Sequence, residues 1–131
     1  MREIEFRGRC CELANGEASE KVGQWVRGNF SSYYWAFKGM QIYKVDGYEV
    51  DPKTVGQYTG LLDSNGAKVF AGDIGCLGKE YPAVEIAYRD GSNIVMLNRK
   101  DDSYSPLHCC IKYLTVIGNI HDNPELLEAS E

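Results

Sequence analysis

Val84-Glu85-Ile86-Ala87-Tyr88-Arg89-Asp90-Gly91-Ser92-Asn93-Ile94-Val95-Met96-Leu97 decides the fold class. Val84, Ile86 and Tyr88 alternate with Glu85, Ala87 and Arg89. A period of two puts each set on its own face of an extended strand. Asp90-Gly91 supplies the turn of a tight hairpin, and Ile94 to Leu97 returns as the partner strand.

Working outward, the same grammar recurs. Downstream, Lys100 to Ser103 is a loop, Leu107 to Tyr113 is a strand or a single helical turn, and Leu114 to Ile120 closes the sheet. Asp122-Asn123-Pro124 reads as a cap and a proline start for a short helix, docked by Leu126 and Leu127. Upstream, Gln57-Tyr58-Thr59 leads to Leu61-Leu62, Asp63-Ser64-Asn65-Gly66 turns, and Val69 to Ile74 enters the next strand through a Gly-Asp corner. Short strands joined by tight turns predict an SH3-like barrel over a sandwich.

Toward the N-terminus, Ile4 and Phe6 alternate with Glu3, Glu5 and Arg7 as a first strand, which does not read as a signal peptide. Asn15-Gly16 is a turn, Glu17 to Lys21 a polar loop, and Gln24 to Phe30 a second strand. Tyr33 to Tyr43 is dense in aromatics and interrupted at Gly39, which reads as a bulge, and Asp46-Gly47 is a hairpin turn. Pro52 to Thr54 makes one helical turn capped by Asp51. The prediction is a mainly β protein: an N-terminal β subdomain over 1–50, packed on an SH3-like barrel over 51–131 with a short helical tail.

The formal charge is −5, but the tail residues Asp122, Glu125, Glu128 and Glu131 carry most of it. The body is near neutral, without the basic footprint of a nucleic-acid binder. The five cysteines, Cys10-Cys11, Cys76 and Cys109-Cys110, are odd in number and lack a Cys-x-x-Cys spacing. That favours a reduced, cytoplasmic compartment and apolar packing over a metal site. No apolar run approaches the ~20 residues of a membrane span.

Tyr48 to Leu61, with Asp51-Pro52-Lys53-Thr54-Val55-Gly56-Gln57-Tyr58-Thr59-Gly60 at its centre, resembles the central signature of the YopX family. Asp63-x-Asn65-Gly66 and Val69-Phe70-x-Gly72-Asp73-Ile74 continue it in order. Arg2 to Arg7 at one end and Val116 to Leu127 at the other also match. The resemblance implies a barrel with a β-rich N-terminal portion, an origin in bacteriophages or prophages, and a bacterial host cytoplasm. It carries over no catalytic residue, no cofactor and no metal. The motif reads as architecture: Gly56, Gly60, Gly66 and Gly72 punctuate strand ends and turns. Asp73 caps local amides, Thr54 and Gln57 tie the linker to the sheet, and Gly118-Asn119 bends the last strand.

Reactive constellations are weak. His108 beside Cys109 would diverge from it in a strand, and His121 lies at the tail junction. Gly72, Gly75 and Gly78-Lys79 lack phosphate-loop spacing. Asp63-Ser64-Asn65-Gly66 lacks the later ligands of a calcium loop, and Asp101-Asp102 reads as a solvated loop. The informative feature is aromatic. Alternation sends Tyr33, Trp35 and Phe37 to one face and Tyr34 to the other. One face is expected to build the N-terminal core, and the other to meet a partner. The expectation is therefore a non-enzymatic module that binds an unidentified protein or a second copy of itself. A small-barrel nucleic-acid binder is the alternative, with only Arg27, Lys38 and Lys44 near the rings. A metal-dependent or hydrolytic enzyme ranks last.

Overall fold

The structure is a computed structural model that describes residues 4–17, 20–89, 93–98 and 102–128. The expected turn at Asp90-Gly91, residues Arg2 and Glu3 of the opening strand, and Asp101 lie outside the described residues. The protein is mainly β, and the chain divides into two compact units between Gln57 and Tyr58. The break expected at 50/51 falls earlier than this one. Gly56 and Gln57 pair with Arg7 and Phe6, which holds the linker in the first unit.

In the first unit, β1 (Phe6–Arg9) lies between β2 (Trp25–Gly28) and the start of β6 (Gly56–Leu62). A second, three-stranded sheet orders β3 (Phe30–Trp35), β4 (Met40–Val45) and β5 (Tyr48–Glu49). The small core is Cys10, Val26, Val45 and Val50, flanked by Phe6, Tyr43 and Val55. The Phe6 and Phe30 rings pack at a tilt, 5.3 Å between centroids.

Several expectations change here. The opening strand starts later, leaving Ile4 70% exposed, and Arg7 is buried with its guanidinium 4.9 Å from the Trp25 ring. Trp25, on the neighbouring strand β2, lies against Arg7 on that face of β1. The expected strand from Gln24 to Phe30 breaks at Gly28, where a Cβ would stand 2.8 Å from Asp46 Cβ. Beyond it the chain enters the other sheet, and Asn29 accepts the Asp46 amide at 2.9 Å. Gly39 is the turn of the β3–β4 hairpin, with φ +65°, and not a bulge. Asp46 and Gly47 both take positive φ, the geometry of a type I′ hairpin turn.

In the second unit, the remainder of β6 pairs with β7 (Lys68–Phe70). A five-stranded antiparallel sheet follows the order β11-β10-β9-β8-β12, from β8 (Asp73–Cys76), β9 (Val84–Arg89), β10 (Asn93–Asn98), β11 (Ser103–Pro106) and β12 (Thr115–Asn119). This order is linear and does not close into a ring among the described residues. Val69, Val84, Ile86, Met96, Leu107 and Leu114 form the core. Glu85, which alternation sets on the face opposite Val84 and Ile86, is buried as well. Leu107–Cys109 and Ile111–Tyr113 are both 3₁₀ turns. The tail ends in a short helix, Glu125–Glu128, with Leu126 and Leu127 half-buried.

Candidate functional site

The residues of the architectural motif each serve a backbone. Asp51 Oδ1 accepts the Lys53 amide at 3.0 Å, Pro52 opens a 3₁₀ turn, and Thr54 Oγ1 accepts the Arg9 amide at 2.9 Å. Gly56 and Gln57 sit on the β1–β6 ladder, and Gly60 lies in the stretch between Tyr58 and Leu62 where the β6–β7 register slips. Tyr58 is buried, packs its ring at a tilt against Phe70 at 5.6 Å between centroids, and accepts the Tyr88 hydroxyl on its carbonyl at 3.2 Å. Gly66 donates its amide to the Asp63 carbonyl, and Gly72 donates to the Ile86 carbonyl. Asp73 Oδ2 accepts the Phe70 amide at 2.7 Å in a fully buried corner. The β12 register shifts between Val116 and Gly118, and Asn119 Oδ1 accepts the amides of His121 and Asp122, both at 2.9 Å.

Sequence reasoning missed Asp63 as a structural centre. Its Oδ1 accepts Asn65 and Ala67 amides, both at 2.9 Å, and its Oδ2 accepts Val116 at 3.0 Å. The Asp-x-Asn-Gly turn signals the local contact, but nothing local signals Val116. His108 and Cys109 were expected to diverge. The 3₁₀ turn instead brings Cys109 Sγ to 3.7 Å from His108 Nε2, both exposed. Among the described residues, no group of three or more His, Cys, Asp or Glu is placed to hold a metal ion, and no helix is long and apolar enough to cross a membrane.

The aromatic run is where chemistry reaches the surface. It was expected to build the N-terminal core from one face. The structure corrects this: β3 is exposed almost throughout, and the core comes from Cys10, Val26, Val45 and Val50. Only Ile42 and Val45 of the partner strand β4 are buried. Tyr33 and Trp35 share a face, as alternation requires, and stand opposite Ile42 and Met40. Phe37 does not join them. It lies in the Ala36–Gly39 turn at the hairpin tip, 89% exposed, while Tyr34 on the other face is 62% exposed. Lys44 Nζ is 5.5 Å from the Tyr33 ring, and Lys38 Nζ is 5.9 Å from Trp35. Tyr33 and Trp35 also line a groove of about 220 Å³ with Ala14, Asn15 and Glu49. Glu49 Oε1 accepts the Ala14 amide at 3.0 Å, which fixes the loop that forms one wall.

This is a two-unit, mainly β protein that exposes Tyr33, Tyr34 and Phe37 on one hairpin. The chain belongs to the YopX family: the family model, described as YopX protein, matches residues 10–128. The crystal structure of protein EF1440 from Enterococcus faecalis is similar at 25% identity and a TM-score of 0.52, covering 97% of this chain and 99% of that one. No curated protein matches the chain at a significant level.

Proposed function

We propose that the protein is a non-enzymatic binding module of a bacteriophage or prophage, acting in the cytoplasm of its bacterial host. It docks another protein, or a second copy of itself, through the β3–β4 hairpin. The observation that carries this reading is the exposure of Tyr33, Tyr34, Phe37 and Met40 on a single hairpin. Large aromatic side chains left together on a surface mark contact sites, because rings supply much contact area at small entropic cost. The second unit, with its own core, is a small scaffold of SH3-like type.

The test is site-specific photo-crosslinking. A benzophenone amino acid replaces Phe37, and the purified full chain is irradiated alone and in host lysate, with light scattering reporting its mass. A discrete adduct or dimer that disappears when Tyr34 and Met40 become serine supports the reading. A monomer without adducts overturns it.

A second reading, binding of single-stranded nucleic acid by the rings, is favoured by Lys38 and Lys44 standing beside Trp35 and Tyr33. Titration with labelled oligonucleotides at low and high salt separates it. Binding that weakens steeply with salt supports the second reading, and absence of binding removes it.

A further inference from the structure

The groove beside the hairpin has a chemistry of its own. Its walls are the rings of Tyr33 and Trp35 and the loop residues Ala14 and Asn15, and Glu49 contributes a carboxylate. Strand pairing explains the grouping. Glu49 stands opposite Lys44, Lys44 opposite Ser31, and Tyr33 and Trp35 continue the Ser31 face. The carboxylate is held in place because its Oε1 accepts the Ala14 amide. At about 220 Å³ the groove is smaller than the roughly 300–1,000 Å³ of small-molecule sites. It suits one inserted side chain.

Aromatic faces beside a carboxylate select a cation. The fold already places cations on these rings, with Lys44 Nζ near Tyr33 and Lys38 Nζ near Trp35. Elsewhere in the same unit the cations on a tryptophan are guanidinium groups, with Arg7 and Arg9 at 4.9 and 5.1 Å from the Trp25 ring. A guanidinium is planar, weakly hydrated and forked, so it stacks on a ring and pairs with a carboxylate at once, which an ammonium does less well.

We infer that this groove receives an arginine side chain of a partner protein, stacked against Tyr33 and Trp35 and paired with Glu49. The inference rests on the reading of the hairpin as a docking surface, and it names the chemistry of the residue that docks.

The experiment titrates acetyl-Gly-Arg-Gly-amide into isotope-labelled full chain and follows the Trp35 indole and Ala14 amide resonances. Acetyl-Gly-citrulline-Gly-amide, equal in shape but uncharged, is the control. The expected result is a saturable shift with the arginine peptide and binding at least about tenfold weaker with citrulline. Glu49→Gln keeps an acceptor for the Ala14 amide and removes only the charge, and it weakens binding about fivefold or more. Tyr113→Ser, an exposed tyrosine of the second unit, leaves binding unchanged. No saturable shift, equal binding of citrulline, or indifference to Glu49→Gln overturns the inference. If that happens while crosslinking at Phe37 persists, the arginine assignment alone falls. Loss of both removes the docking reading with it.

Discussion

The Asp63 carboxylate accepts the backbone amide of Val116 at 3.0 Å across a sequence separation of 53 residues. The same side chain organises its own turn through Asn65 and Ala67, so one buried group fastens the β6–β7 connection to the first half of β12. Ser64 strengthens the join: its amide donates to the Leu114 carbonyl at 2.7 Å, and its hydroxyl lies 2.9 Å from that of Thr115.

Removing that carboxylate leaves its amide donors unsatisfied, so Asp63→Ala is expected to destabilise the protein by about 3 kcal/mol in urea unfolding. Burial raises the Asp63 carboxyl, but hydrogen bonds from Val116, Ala67 and Asn65 outweigh it and hold the group below its ordinary range. A carboxyl depressed in the folded state contributes its stability above the unfolded value of about 3.9. That contribution is lost as pH falls through the folded value. Asp63→Asn should therefore show a flatter loss of stability below about pH 4 than the parent chain. Parallel acid-unfolding curves for the two would contradict this.

Gly75 is a packing constraint. A Cβ there would stand 2.4 Å from Leu114 Cδ1 and 2.9 Å from its Cγ, and Leu114 is fully buried. Gly75→Ala is expected to cost about 1–3 kcal/mol through overpacking. The double variant with Leu114→Val should recover part of that loss relative to the sum of the single changes. Simple additivity in the double-mutant cycle would show that the two sites do not press on each other.

The five thiols should separate by reactivity. Cys109 is exposed, whereas Cys10 is buried in the first unit's core. Burial pushes the Cys10 thiol up against a smaller opposing effect of Lys21, and burial with Glu49 and Asp51 pushes Cys11 up as well. Both therefore hold less reactive thiolate at neutral pH than an ordinary cysteine does. A disulfide reagent at pH 7.5 is expected to modify Cys109 in a fast phase and Cys10 last, with Cys109→Ser abolishing the fast phase. Early modification of Cys10, read by peptide mass mapping, would mean that the core around Val50 opens readily.

Phe37 should separate stability from binding. At 89% exposure its replacement by serine is expected to change unfolding free energy by less than about 0.5 kcal/mol. The same substitution should abolish the association that depends on the hairpin, as measured by light scattering or partner capture. A large loss of stability would instead assign Phe37 a packing role.

The sequence by itself determined the local features. Period-two alternation marked the β9–β10 pair, and Asp46-Gly47 marked a hairpin turn. Asp51-Pro52 marked the capped turn, which the structure shows as 3₁₀. Each follows from φ preferences and side-chain direction over a few residues. Tertiary structure decided which faces are covered. Arg7 and Glu85 alternate with apolar neighbours, yet both are buried. One face of the aromatic run was expected to build core, yet β3 ends a sheet whose buried positions lie on β4. Alternation distinguishes two faces of a strand but cannot say which of them another layer will cover. The same holds for Asp63 and Val116, and for the meeting of Glu49 with Tyr33 and Trp35: long-range contacts exist only once strand order is set, and no local pattern encodes that order.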